Sequence, residues 1–130
     1  MLNIFYNSKL TTISIPPKVI SISGNPVSAC PNLTSIKVDS ENIAYNSRNN
    51  CNAIIGSSGI LIAGCKNTVI PNGVEEIGAD AFDHCTGLTS ITLPNSVKVI
   101  NACAFWYCTD LTSITFSNNL TIIRDAAFDH

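Results

Sequence analysis

Residues 88–100 read LTSITLPNSVKVI, and the first five letters return at 111–115 as LTSIT, 23 residues further on. A catalytic site needs one constellation, whereas a word repeated at a fixed step marks one structural unit laid down again. Shifting the chain by 23 positions aligns Leu88 with Leu111, Ile91 with Ile114, Leu93 with Phe116, Val97 with Leu120, Ile100 with Ile123 and Phe105 with Phe128. The same step backwards sets Cys65, Thr68, Ile70, Pro71, Val74, Ile77, Phe82 and Cys85 in those slots. A more divergent copy starts at Leu10, with Ile13, Ile15, Pro16, Val19, Ile22, Val27 and Cys30 in equivalent places.

Within one unit, Leu88, Ile91 and Leu93 fall in the spacing L-x-x-L-x-L, that of the strand in a leucine-rich repeat. Ile91 and Leu93, two apart, share a strand face, and Thr92 between them points to solvent. Pro94 and Asn95 supply a corner, because proline fixes φ and removes a ladder donor. Val97 and Ile100 then enter the core from a second extended segment, and the spacing of Ala104, Phe105 and Cys108 predicts a short helical turn. A unit this short cannot bury its apolar edge alone, so the copies must stack, each strand pairing in parallel with the next at about 4.8 Å.

The expected fold is therefore a repeat solenoid, a leucine-rich-repeat superhelix of about five 23-residue coils. A parallel β-sheet forms one face, and short strands or helical turns form the other. A single domain over 1–130 is expected, with units near 10–32, 33–64, 65–87, 88–110 and a truncated 111–130. The second unit is stretched to 32 residues, and inside it NAIIGSSGILIAG at 52–64 reads as a hairpin turning at Gly56-Ser57-Ser58-Gly59. Such an insertion is either a binding feature on one face or a cover over a coil. The stop at AAFDH, one residue short of the expected Cys, suggests a fragment of a longer protein.

The composition narrows function by exclusion. With 45% apolar and only 12% charged residues, the chain is expected to fold. A net charge of −2 without a basic run predicts no nucleic-acid partner. No stretch of about 18 apolar residues is present, so membrane insertion by this chain is not expected, and the N-terminal residues do not read as a signal peptide. Six cysteines invite a disulfide or zinc reading. However, no CxxC or HxxxH pair exists, and tetrahedral zinc draws on paired ligands. Cys30, Cys85 and Cys108 each lie 20 residues after the first residue of their unit. They are therefore expected to be a buried column of reduced thiols, Cys behaving as a small hydrophobe. Segment 38–50 contains Asp39, Glu41 and Asn42 but lacks the glycine and terminal glutamate of a calcium loop. No metal and no cofactor are expected.

The words LTSITLPNSVKVI…AFWYC and VIPNGVEEIGADAFDHC resemble the BspA-like leucine-rich repeat family, whose units run close to L-T-S-I-x-I-P-x-S-V-x-x-I-G-x-x-A-F-x-x-C. Residues 46–74 look like the extended unit that interrupts the repeats of bacterial members. The resemblance covers nearly all of 10–130. It implies a cell-surface or secreted protein of anaerobic gut or oral bacteria, or of parasitic protists, used in adhesion and in binding host or matrix proteins.

Two surfaces are candidates for such binding. The outward rows of the repeat strands are polar and nearly uncharged, with Ser35, Lys37, Ser90, Thr92, Ser113 and Thr115 as candidate contacts, extended by Thr12, Ser14 and Val69. The pair Trp106 and Tyr107 falls between core Phe105 and core Cys108, in slots held elsewhere by Asp83-His84 and Asp129-His130. If exposed, they are interface anchors. An enzyme is the least favoured reading, because His84 and His130 recur as copies of one slot and GSSG lacks the strand-turn-helix setting of a nucleophile elbow. A structural spacer carrying other modules remains the alternative. The sequons at Asn32 and Asn119 matter only on a eukaryotic secretory route.

Overall fold

The structure, a computed structural model, describes residues 9–130. It is a β-solenoid of short strands: β1 Thr12–Ile15, β2 Ser35–Val38, β3 Tyr45–Asn46, β4 Ala53–Gly56, β5 Ile60–Gly64, β6 Glu76–Ile77, β7 Ser90–Thr92, β8 Val99–Ile100, β9 Ser113–Thr115 and β10 Ile122–Ile123. The parallel pairs carry the repeat step directly: Thr12 faces Ser35, Ser90 faces Ser113, Glu76 faces Val99 and Val99 faces Ile122, each 23 apart.

The L-x-x-L-x-L face is not one continuous sheet. It consists of two separate pairs, β1–β2 and β7–β9, and the unit at 65–87 contributes no strand between them. The reason lies in the stretched unit, which wedges Cys51 and Asn52 into the gap. Val69 N donates to Cys51 O at 3.0 Å, and Thr68 Oγ1 donates to Asn52 O at 2.6 Å while accepting from Cys65 N at 2.8 Å. On the other side of the wedge, Ile36 N donates to the Asn52 side chain at 3.4 Å.

The second face carries a six-stranded sheet in the order β10-β8-β6-β5-β4-β3. Its β4–β5 hairpin is antiparallel, closed at Gly59, whose φ of +86° suits glycine. The hairpin joins the repeats through β5, which runs parallel to β6. Far from being a surface decoration, β4 is buried along its length. Ile54 packs into the N-terminal core cluster, whereas Ala53 and Ile55 pack into the C-terminal one. The insertion is thus the joint between the two halves of the core.

The helical turns expected after the second segment are absent. The only helical piece among the described residues is a three-residue 3-10 turn at Arg48–Asn50. In its place the chain runs through successive reverse turns, with positive φ at Asp80 and His84 in one coil and at Cys103 and Tyr107 in the next. Backbone N–H groups alternate in their targets. Ala104, Trp106 and Cys108 close local turns, while Cys103, Phe105 and Tyr107 donate to Asp125, Ala127 and Asp129 of the following coil. Left-handed residues at every fourth position cost strain. The inter-coil hydrogen bonds they permit satisfy groups that would otherwise be buried unpaired.

On this turn face the stretched unit is skipped. Ala29 N donates to Asp83 O, Asn25 Nδ2 donates to the carbonyls of Asp80 and Ala81, and Ser28 Oγ donates to the Asp83 carboxylate. The first unit therefore stacks straight onto the third, across 55 residues of sequence. The repeat positions otherwise bury as the periodicity requires, with Val74, Ile77, Phe82, Val97 and Ile100 all at 0% exposure. Phe82, Phe105 and Phe128 stack as a ladder, their centroids 5.0 and 5.1 Å apart. In the last coil the same slots are half open: Phe128 is 37% and Ile123 51% exposed, against full burial one coil earlier.

Candidate functional site

The strand face places its candidate residues in two groups. Ser35 and Lys37 of β2 lie beside Thr12 and Ser14 of β1, and Ser90 and Thr92 of β7 lie beside Ser113 and Thr115 of β9. Lys37, Ser90, Thr92, Ser113 and Thr115 are exposed and Ser35 is half-buried. Alternation explains this, since Ile36, Ile91 and Ile114 take the inward positions. The wedge at Cys51 and Asn52 separates the groups, and Val69, 74% exposed, stands between them. Beside β2, a shallow pocket of about 320 Å³ runs from Lys37 and Asp39 to Ser47 and Asn50. It arises because Ser47 Oγ accepts from Val38 N and so folds the start of the insertion against the strand edge.

Trp106 and Tyr107 lie on the turn face, away from those rows. Tyr107 is 39% exposed and Trp106 half-buried. The repeat step brings His84 and His130 to either side of Tyr107. Its ring stacks on His84 at 4.7 Å with a 7° interplanar angle and meets His130 at 5.0 Å. Trp106 packs against the same histidines, edge-on to His84 at 5.2 Å and inclined to His130 at 6.3 Å. Four rings from three coils thus form one cluster. The 23-residue spacing of positions 84, 107 and 130 is the signal of this cluster in the sequence, but a copied slot alone does not say that the three side chains touch.

Carboxylates flank the cluster. His84 Nδ1 lies 2.6 Å from Asp83 Oδ1, and the other oxygen of Asp83 accepts from Ser28 Oγ. Serine, aspartate and histidine are therefore in contact, but in the wrong order for a nucleophile: the hydroxyl is bonded to the carboxylate, not to the imidazole that would have to take its proton. The arrangement ties the first unit to the third. In the middle coil the Cys103 thiol is pushed up, by desolvation first and then by the carboxylates of Asp80, Asp83, Asp129 and Asp125. Asp80 is itself pushed up by desolvation and then by Asp83.

None of the six cysteines is in a disulfide. Cys30 and Cys108 are buried as the column requires, and Cys85 is half-buried as a residue. Even so, desolvation pushes the Cys85 thiol up, followed by the charge of neighbouring Cys108. Desolvation likewise moves Cys108 to about 12, against the backbone hydrogen bond that lowers it. Cys51 and Cys65 shift upward for the same leading reason. Thiols held this far above neutral pH are packing groups.

Sequence and structure comparisons agree on the class of protein. The sequence model described as BspA type leucine rich repeat region matches residues 2–58 and 62–130, in six copies. Among solved structures, a leucine-rich cell surface protein from Faecalibacterium prausnitzii superposes with a TM-score of 0.76 at 34% identity, over 95% of this chain and 34% of that one. The pneumococcal vaccine antigen PcpA superposes with a TM-score of 0.75 at 20% identity, over 89% of this chain and 30% of its own. A leucine-rich repeat protein from Eubacterium ventriosum gives a TM-score of 0.63 at 22% identity, over 95% of this chain and 44% of that one. The last two likenesses show the fold alone. The chain spans about a third of the length of the first two proteins. No protein of curated function matches it. Among the described residues, no helix is long and apolar enough to cross a membrane.

Proposed function

The chain belongs to the BspA-type leucine-rich repeat family, and from that membership we propose that its solenoid is a non-catalytic protein-binding module of a cell-surface or secreted protein, acting in adhesion. Repeat solenoids offer extended rigid surfaces whose outward residues are free to vary while the inward slots stay fixed. The observation that carries the reading is the ring cluster of the turn face, where Trp106 and Tyr107 replace the Asp-His of the neighbouring coils and leave Tyr107 39% exposed. Aromatic anchors of this kind dominate protein interfaces. The cell-surface description of the Faecalibacterium protein supports the same placement for this chain.

The strand face, with Ser35, Lys37, Ser90, Thr92, Ser113 and Thr115, is the second contact area in this reading. Its hydroxyl rows suit broad contacts of low charge. The test is surface plasmon resonance of the immobilised chain against purified host-matrix and bacterial surface proteins. Saturable binding that weakens on Tyr107→Ala or on Thr92→Arg with Thr115→Arg supports the proposal. A structural spacer would retain none of the proteins, and that result overturns it.

A further inference from the structure

The charge of this chain is unevenly placed. Four of its nine acidic residues, Asp80, Asp83, Asp125 and Asp129, lie in the turn segments of the third and fifth units, against one of its seven basic residues, Arg124. That is a net −3 on one edge of a chain whose total is −2, so the remainder is +1. Arg124 is turned aside, its Nε donating to Asn101 Oδ1 at 3.1 Å. The aspartates come from the coils on either side of the one that carries Cys103, Trp106 and Tyr107. On one side Cys103 N donates to Asp125 O at 3.1 Å and Tyr107 N to Asp129 O at 3.0 Å, while on the other Asp80 N donates to Ala102 O at 3.2 Å and Asp83 holds His84 at 2.6 Å. The ring cluster and the carboxylates therefore occupy the same edge.

Resting on the protein-binding reading above, we propose that this edge binds an extended basic segment of a partner protein and prefers arginine to lysine. Tyr107 has His84 against one face and His130 near the other, so a ligand reaches its exposed edge together with His130 and the open part of Trp106. A guanidinium is planar and weakly hydrated. It stacks on aromatic rings while donating in a fork to carboxylates, which an ammonium cannot do. Asp125 and Asp129 are exposed and stand in the coil that carries His130. A cation lying between them and Trp106 meets both kinds of partner at once. An acidic segment would be repelled, and an apolar one would leave the carboxylates without a counter-charge.

Trp106 is the only tryptophan, so its fluorescence reports binding at this edge and nowhere else. The probes are eight-residue peptides with four arginines, four lysines or four glutamines in the same positions, titrated into the full chain at low and at physiological salt. The expected result is a saturable Trp106 response in the order arginine, lysine, glutamine, weakening as salt rises. The double substitution Asp125→Asn with Asp129→Asn should weaken the arginine peptide roughly fivefold, as expected for two exposed charge pairs, with an unchanged circular dichroism spectrum. Equal responses to arginine and glutamine, no Trp106 response, or full affinity in the double variant would each overturn the inference. A matrix or surface protein bound equally well by the double variant and the wild type would also overturn it, while leaving the protein-binding reading in place.

Discussion

The backbone of Gly64 lies flat against the ring of Phe82, so close that a methyl group on Gly64 would meet Phe82 Cε1 at 2.2 Å. Gly64 ends β5, and its N–H donates to Ala81 O at 2.9 Å, which locks the two segments face to face. The phenylalanine ladder of the repeats thus starts on bare backbone, where the insertion meets the regular coils. Gly64→Ala should destabilise by about 1–3 kcal/mol or more through overpacking. Denaturant melts check this, and adding Phe82→Leu should recover part of the loss because the two sites share one contact.

Phe105 and Trp106 are neighbours with different work. Phe105 is 1% exposed between Phe82 and Phe128, so Phe105→Ala should cost about 3–5 kcal/mol. Trp106 is half-buried and has ring contacts on both sides, so Trp106→Ala should cost only about 1–2 kcal/mol. Equilibrium unfolding of both variants gives the comparison. A larger loss at Trp106 than at Phe105 would mean that the coil is rotated from the phase described.

Thiol chemistry should separate Cys103 from the other five cysteines. Cys103 and Cys85 are half-buried and the other four buried, and Cys85 is the more strongly desolvated of the two. In native protein a thiol reagent is therefore expected to label Cys103 first, though slowly because its thiol is also pushed up, with the others following on unfolding. Rapid labelling of Cys30, Cys51, Cys65 or Cys108 in the folded state would contradict their burial. The pH dependence has a definite sign. The folded Cys108 thiol holds its proton up to about 12, whereas the unfolded one loses it near 9. Over that window the unfolded chain binds fewer protons, so stability must fall as pH rises from about 9. Thermal melts of wild type and Cys108→Ala should converge towards the alkaline end.

Asp80 combines a φ of +58° with a carboxyl pushed up by desolvation and by Asp83. An acid whose folded pKa is raised destabilises the fold when charged, and the penalty disappears as pH falls through that raised value. Asn removes the charge and tolerates the left-handed region well. Asp80→Asn should therefore stabilise by about 0.5 kcal/mol at pH 7, a figure reduced for solvent screening. The gain should shrink at pH 3, and urea melts at the two pH values measure it.

Among the described residues, no group of three or more His, Cys, Asp or Glu side chains could hold a metal ion. Dialysis against a chelator should leave the melting temperature unchanged within about 1 °C, since a tightly bound structural ion would add several degrees. A fall of several degrees would overturn this expectation.

The inward slots were legible from the repeat alone. Val74, Val97, Phe82 and Phe105 recur at one step, and in a stack every copy of a slot meets the same neighbours, so periodicity in sequence becomes burial in space. The hairpin and the outward alternation of Ser90 and Thr92 were legible for a related reason, because strand geometry is local. Three features were not. The turns around Cys103 and Tyr107 have the spacing of a helix, but hydrogen bonds to the next coil, invisible in a single unit, hold them in positive φ. The wedge of Cys51 and Asn52 breaks the strand face, and Ser28 reaches Asp83 across the stretched unit, because 33–64 has a strand to stack but no turn segment to place between its neighbours. The ring cluster likewise needed the tertiary structure. The sequence by itself determined which residues repeat and which way they face, whereas the order in which coils touch on each face depended on how one irregular unit packs between regular ones.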